Sequence, residues 1–380
     1  MHGVQPTELV VVQPTTFCNI DCSYCYLPER SIKKRMKAET LELLGSRVLA
    51  SGWTANNTTV IWHAGEPLVM PANWYEDAFA ILARHCPADV RLSHAFQTNA
   101  TLIDEDWLAL FKKHRARVGV SLDGPRALHD SRRRTRDGRG TFDKTVAGVK
   151  ALQHAGLPFH VISVLTADSL KQPDELFDFY AAEGIDQICF NVEEIEVVNA
   201  HSSLSAPGSE DAYRSFLTRF LRRMTEAARP IWVREVASSV AAILSPKGMP
   251  RNEQVEPLVM LNVDVDGNLS TFSPELLGAN APEFDNFRFV NLRDGGPEAL
   301  LESPAFRRAH AAVTQGVDAC KRTCAWYRWC GGGAPANKLF ENGSMATTET
   351  MYCRLTKQVT MDVVLHAIEN GQLPGMKAAA

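Results

Sequence analysis

Phe17-Cys18-Asn19-Ile20-Asp21-Cys22-Ser23-Tyr24-Cys25-Tyr26 puts three thiols in one short loop directly after an apolar run. Three thiolates can grip iron but leave a four-coordinate site incomplete, and metal centres that do chemistry keep a position open, as catalytic zinc sites do. An iron–sulfur cluster held by Cys18, Cys22 and Cys25 would therefore present one bare iron. The bland alternative is half a zinc site or a chance group of buried thiols, because free cysteine is among the most buried residue types. Cysteine clusters outside disulfide-rich secreted chains favour metal binding or catalysis.

Composition sets the outer bounds. At 380 residues and 45% hydrophobic, the chain can bury one large domain plus a smaller one. A net charge of -4 supplies no global attraction to nucleic acid or to an anionic membrane. Met1–Val12 lacks the apolar core of a signal peptide, and no run approaches the roughly 18 apolar residues of a membrane helix. The expected location is the cytoplasm, with no nucleic-acid partner and no membrane. The cysteines fall into the first loop, a second group of Cys320, Cys324, Cys330 and Cys353, and two singletons, Cys86 and Cys189, read as core thiols.

Leu9–Gln13, stopped by Pro14, reads as a buried strand that delivers the cysteine loop at its C-terminal end. Lys37–Ala50 has helical spacing, with Gly52 where a C-cap belongs. The alternation then repeats. Thr58–His63, Arg91–Gln97, Arg117–Leu122, Pro158–Leu165 and Gln187–Val192 read as strands, with helices over 72–85, 105–114, 142–155 and 173–183. About six βα units imply an α/β fold with a parallel sheet and right-handed crossovers. The pattern alone leaves open whether the sheet is doubly wound or curled into a partial barrel; functional loops lie at the strands' C-terminal ends in both. Glu210–Ala228 and Trp232–Ile243 read as further helices, and the proline-rich Ser245–Pro257 as a boundary between domains 1–244 and 245–380. Beyond it, Leu261–Val265 and Leu269–Phe272 form a hairpin around Asp266-Gly267, and Lys377–Ala380 is a frayed tail.

Chemistry-bearing groups sit after successive strands. In Trp62-His63-Ala64-Gly65-Glu66-Pro67, Gly65 permits close backbone approach and Glu66 can accept hydrogen bonds from an ammonium. Gln97-Thr98-Asn99-Ala100-Thr101-Leu102 ends the third strand. Ser121 and Asp123 in Ser121-Leu122-Asp123-Gly124-Pro125 suit ribose hydroxyls. Arg133, in His129-Asp130-x-x-Arg133, can hold a carboxylate bidentately. Arg126–Arg139 otherwise reads as a solvated basic loop, in which Arg132, Arg134, Arg136 and Arg139 are solvent-facing or attract an acidic peptide. Asn191 and Glu193 share a strand face and can point inward, whereas the other reading puts Glu193 and Glu194 in solvent. Cys320, Cys324, Cys330 and Cys353 supply four thiolates, enough to close an iron–sulfur or a zinc site.

The C-x3-C-x2-C loop, Ala64-Gly65-Glu66-Pro67 and Gln97-Thr98-Asn99-Ala100-Thr101-Leu102 together resemble the radical S-adenosylmethionine (radical SAM) enzymes, with alanine standing for glycine in the last two motifs. The resemblance implies a partial (β/α)6 TIM-like barrel, a [4Fe-4S] cluster on Cys18, Cys22 and Cys25, and S-adenosyl-L-methionine chelated by its bare iron. It assigns Tyr24, Gly65, Glu66, Asn99, Ser121, Asp123, Arg133 and Asn191 to cofactor binding. The C-terminal spacing resembles half of a SPASM domain; the upstream cysteines of that domain are missing from Thr271-Phe272-Ser273-Pro274-Glu275-Leu276, so one auxiliary [4Fe-4S] cluster is expected. With Cys330-Gly331-Gly332-Gly333-x-Pro335-x-Asn337-Lys338, the chain is most similar to the cyclophane-forming maturases of ribosomally made peptides.

That resemblance implies a precursor peptide as substrate, an electron donor such as a flavodoxin or ferredoxin, and a crosslink between an aromatic ring and a nearby β-carbon. Glu275 is the expected base, against a reading of it as a surface acid. With the first strand starting near residue 9, no leader-recognition domain is expected. The enzymatic alternative is formylglycine maturation of the anaerobic-sulfatase type. The non-enzymatic one is a zinc- or iron–sulfur-binding interaction protein.

Overall fold

The computed structural model describes residues 4–248 and 251–373. Met1–Gly3, Met249–Pro250 within the expected boundary, and the Lys377–Ala380 tail lie outside the described residues.

Among the described residues ten strands form one sheet: β1 (Thr7–Val12), β2 (Thr54–Trp62), β3 (Arg91–Thr98), β4 (Arg117–Ser121), β5 (Phe159–Leu165), β6 (Gln187–Val192), β7 (Trp232–Val233), β8 (Met260–Val263), β9 (Asn268–Thr271) and β10 (Val290–Asn291). Their order is β10-β9-β8-β1-β2-β3-β4-β5-β6-β7. From β1 to β7 every neighbour is parallel and next in sequence. A doubly wound sheet reverses order at a switch point. This one never does, which settles the architecture as a barrel-type α/β fold, left partial because β7 and β10 remain edges.

Alternation along the strands divides two environments. Trp62 and Phe96 pack outward on Tyr75, with ring centroids 5.1 and 4.9 Å away, and Phe190 packs outward on Phe220 at 5.0 Å. Their neighbours Ile61, Gln97 and Asn191 therefore face the inside of the barrel. The covering helices, Ala72–His85, Glu105–His114, Phe142–His154 and Pro173–Ala182, match the expected ones to within a residue.

Four local readings change. Lys37–Ala50 is an α-helix over Ala38–Leu44 that widens into a π-helical turn over Gly45–Leu49, so Gly52, at φ +78°, lies beyond the cap instead of in it. Trp232–Val233 is a strand paired with β6, and the helix begins only at Arg234. Arg126–Arg132 is helical, not loop. The β8–β9 hairpin forms with both strands starting a residue earlier than expected. Its turn is closed by Gly267 N–H donating to Asp264 C=O at 3.0 Å and braced by the Asp264 carboxylate, which accepts from the N–H groups of Asp266 and Asn268, both at 2.9 Å. β8 then pairs in parallel with β1, from Leu9 opposite Met260 to Val12 opposite Val263. That pairing covers the free edge β1 would otherwise expose.

Candidate active site at the strand ends

The cysteine loop is held by backbone. Cys18 N–H donates to Arg30 C=O at 3.0 Å, Asp21 N–H to Arg134 C=O at 2.7 Å and Ser23 N–H to Arg132 C=O at 3.0 Å. Arg136 Nε donates to Cys18 C=O at 2.9 Å. Arg136 thus braces the thiol loop, because carbonyls left over by the irregular loop need donors and a guanidinium supplies several. Arg134 and Arg139 stay on the exposed loop expected of them, Arg139 Nε donating to Asp137 at 2.9 Å. Arg132 also stands 3.6 Å from Glu193. Burial pushes the Cys22 thiol up to about 12, against the pull of Arg133, and raises Cys18 and Cys25 as well. Metal-free, these groups are protonated thiols that release protons when metal binds.

Gly65 follows β2 at φ +94°, and a Cβ there would stand 2.5 Å from Thr15 C=O, so only glycine lets this turn press on the cysteine loop. Glu66 is buried behind it. Its Oε1 accepts from Leu68 N–H at 3.0 Å and Thr98 Oγ1 at 2.6 Å, and its Oε2 from Asn99 N–H at 2.8 Å. Burial nevertheless raises its carboxyl to about 7. Asn99 Nδ2 donates to Asn19 Oδ1 at 2.8 Å and lies 4.0 Å from Cys18 Sγ. Ser121 Oγ accepts from Gln97 Nε2 at 3.0 Å. Asp123 accepts from Arg133, from Val164 N–H at 3.0 Å and from the Tyr24 hydroxyl. Tyr24, Glu66, Asn99, Asp123 and Arg133 thus gather around the three thiols, whereas Ser121 and Asn191 lie further along the barrel wall.

Asn191 lines a polar cavity of about 370 Å³ at the ends of β6 and β7, its Oδ1 accepting from Arg234 Nη2 at 2.8 Å. Glu275 lines the same cavity and accepts from the Ser273 hydroxyl. Glu193 does not: its carboxylate turns away to Ser203 N–H at 2.7 Å. Strand parity fails because β6 stops at Val192 and the chain closes a Glu196–Asn199 bridge, turning Glu194 and Glu196 into the cavity. Glu194 accepts from Asn337 Nδ2 at 2.7 Å. Burial raises Glu194 to about 7; burial and the nearby Glu194 hold Glu196 well above the usual carboxylate range; and burial raises Glu275. Sequence reasoning missed Glu196 and had no signal for it beyond the acidic run.

Cys320, Cys324, Cys330 and Cys353 line a second cavity of about 180 Å³ with Gly332 and Gly333. Gly331, Gly332 and Gly333 all have positive φ, at 69°, 108° and 78°, which the glycine run makes possible.

Residues 12–180, which carry the cysteine loop and the groups gathered around it, match the Radical SAM superfamily and form a radical SAM domain. The chain belongs to one family with the uncharacterized protein sll1766 of Synechocystis sp., 38% identical over 368 residues, 96% of this chain and 92% of that protein. It is also similar to a serine-type anaerobic sulfatase-maturating enzyme of Klebsiella aerogenes, 31% identical over 163 residues, which cover 42% of this chain and only 40% of that enzyme. Among solved structures, native anSMEcpe with bound AdoMet and Cp18Cys peptide superposes with a TM-score of 0.79 at 19% identity, covering 96% of this chain and 99% of that one. Streptococcus suis SuiB bound to precursor peptide SuiA gives 0.64 at 15% identity, covering 92% and 76%. These structures share the fold. Among the described residues no helix is long and apolar enough to cross a membrane.

Membership implies S-adenosylmethionine and a [4Fe-4S] cluster, and the thiols present fit the cluster. Cys18, Cys22 and Cys25 form a compact free-thiol set, with the Arg133 cation 3.9 Å from Cys22 Sγ to offset an anionic cluster. Among the described residues no three His, Cys, Asp or Glu side chains converge on one metal ion. A four-iron cluster asks for something else, thiolates spread over separate irons.

Proposed function

We propose that the enzyme modifies a ribosomally synthesised precursor peptide in the cytoplasm, joining an aromatic ring to the β-carbon of a nearby residue as a cyclophane. The observation that carries this reading is the polar cavity at the ends of β6 and β7, where Glu194, Glu196 and Glu275 hold raised carboxyls in a lining that also includes Tyr352, the residue before Cys353. A carboxylate placed here, when ionised, can take the proton that the ring loses after the new carbon–carbon bond forms. The peptides bound in the anSMEcpe and SuiB structures support a peptide substrate.

Cys18, Cys22 and Cys25 hold the first cluster, and Cys320, Cys324, Cys330 and Cys353 hold one auxiliary [4Fe-4S] cluster. When bound, the cofactor and its cluster, given an electron by a flavodoxin or ferredoxin, would supply hydrogen-atom abstraction through a 5′-deoxyadenosyl radical, and the auxiliary cluster would supply an acceptor for one electron. Glu66, Asn99 and Arg133 orient the first site, with Tyr24 and Asp123 fixing Arg133. Glu275 takes the ring proton.

Formylglycine formation is the second reading, favoured by the similarity to sulfatase-maturating enzymes over the N-terminal half. Both products lose two hydrogens when formylglycine arises from serine, so mass alone does not separate them. Co-expression with a precursor peptide, followed by fragmentation and a hydrazine test for aldehyde, does. A two-hydrogen loss with suppressed fragmentation between the joined residues and no hydrazone is expected. A hydrazone establishes the formylglycine reading instead.

A further inference from the structure

Lys338 is 3% exposed, yet its ammonium meets no carboxylate within 4.0 Å among the described residues. Its Nζ instead points at Cys320 Sγ, 3.4 Å away. Gly316 leaves room for this: a Cβ there would stand 3.1 Å from Lys338 Nζ and 2.1 Å from Met345 C=O. A buried cation is costly without an anionic partner. Here the partner it lacks is one that the thiol cavity can provide. An iron–sulfur centre with four thiolates is an anion, and hydrogen bonds and charges at its sulfurs set its potential. The preceding residue, Asn337, reaches the other way, to Glu194 in the peptide cavity at 2.7 Å. The first turn of the Pro335–Asn342 helix thus touches both sites at once.

We propose that Lys338 is a positioning and poising residue for the auxiliary cluster, raising its reduction potential by donating to the Cys320 thiolate. The inference rests on the auxiliary-cluster reading above. The step is the uptake of one electron and no proton by the oxidised cluster, the electron being the one released when the crosslinked ring loses its proton. The reduced form carries one more negative charge, so a nearby ammonium stabilises it more than the oxidised form. Reach also favours this helix as the link between the cavities, because one residue serves each.

The test uses full-length protein, reconstituted anaerobically in a Cys18, Cys22, Cys25 to Ala background so that only the second cluster remains. Redox titration followed by electron paramagnetic resonance compares Lys338 with Lys338→Met and Lys338→Arg. Met is expected to lower the one-electron reduction equilibrium at least about tenfold, about 59 mV, while Arg retains most of the wild-type potential. An unchanged potential in Lys338→Met overturns the proposal and leaves the cluster standing. Absence of iron, or one zinc in its place, overturns the auxiliary-cluster reading and this inference with it. Metal-free Lys338→Met is expected to unfold at no lower temperature than wild type, since it loses a buried unpaired charge. A lower temperature would make Lys338 a structural residue and overturn the proposal.

Discussion

Arg133 clasps Asp123 through Nε to Oδ2 at 2.9 Å and Nη2 to Oδ1 at 3.1 Å, and turns Nη1 towards Cys22 Sγ at 3.9 Å. Burial alone would push the Asp123 carboxyl up; the guanidinium more than offsets this and holds it below its ordinary value. One cation therefore serves the end of β4 and the cysteine loop together. Arg133→Met strands a buried carboxylate with only the Tyr24 hydroxyl and Val164 N–H, which costs about 3–5 kcal/mol. Urea unfolding of the metal-free protein reads the loss, and adding Asp123→Asn recovers part of it. A loss below about 1 kcal/mol would mean that Asp123 is already neutral.

Ala64 and Ala100 stand where the resembling motifs carry glycine, and both have positive φ, 63° and 59°. A left-handed non-glycine residue costs about 1–2 kcal/mol. Ala64 is half-buried, so Ala64→Gly recovers most of that and raises stability by about 1 kcal/mol. Ala100 is 1% exposed, and removing its methyl forfeits about 0.8 kcal/mol of burial. Ala100→Gly is therefore close to neutral. Equal effects at the two sites in thermal unfolding would defeat this account.

Glu66 sets a pH dependence with a definite sign. Its folded value, raised by burial to about 7, lies above the ordinary 4.5, so the folded protein holds a proton that the unfolded chain releases. Its contribution is full below pH 4.5 and is lost as pH rises through about 7, by at most about 3 kcal/mol. His63 and His129, lowered by burial to about 4, pull the opposite way, but only below pH 6.5. Glu66→Gln also turns a donor on the Asn99 or Leu68 N–H, costing about 1–3 kcal/mol. The wild-type advantage over Glu66→Gln, measured without metal, should shrink between pH 5 and pH 8. A constant gap contradicts the raised carboxyl.

What could be read in advance was whatever local chemistry fixes. The strands β1–β6 announced themselves by apolar runs, the covering helices by their period, and the thiol loop by spacing. Three things were not local. The pairing of β8 with β1 joins residues some 250 apart, Leu9 and Met260, and depends on which edge is left uncovered. The choice of Glu194 over Glu193 turned on where β6 stops, and strand ends are poorly marked in sequence. Arg136 is exposed as expected, but its grip on the loop was hidden because its partners are the Cys18 and Arg30 carbonyls, which every sequence has and none displays.

Glu275 and Glu194 line one cavity, and the choice between them as base is open to experiment. A base should have a raised carboxyl and a free oxygen near the peptide. Glu275 is raised by burial and is held by the neighbouring Ser273 hydroxyl, whereas Glu194 is tied to Asn337 on a separate helix. Glu275→Gln is expected to slow crosslinking about 10²–10⁴-fold under single-turnover conditions while 5′-deoxyadenosine still forms. Glu194→Gln, which removes a neighbouring group raised to about 7, is expected to move the pH profile of crosslinking and to slow it less. The reverse ranking transfers the base to Glu194. Wild-type rates in both variants would exclude both as the base and leave Glu196 as the third raised carboxyl of the cavity.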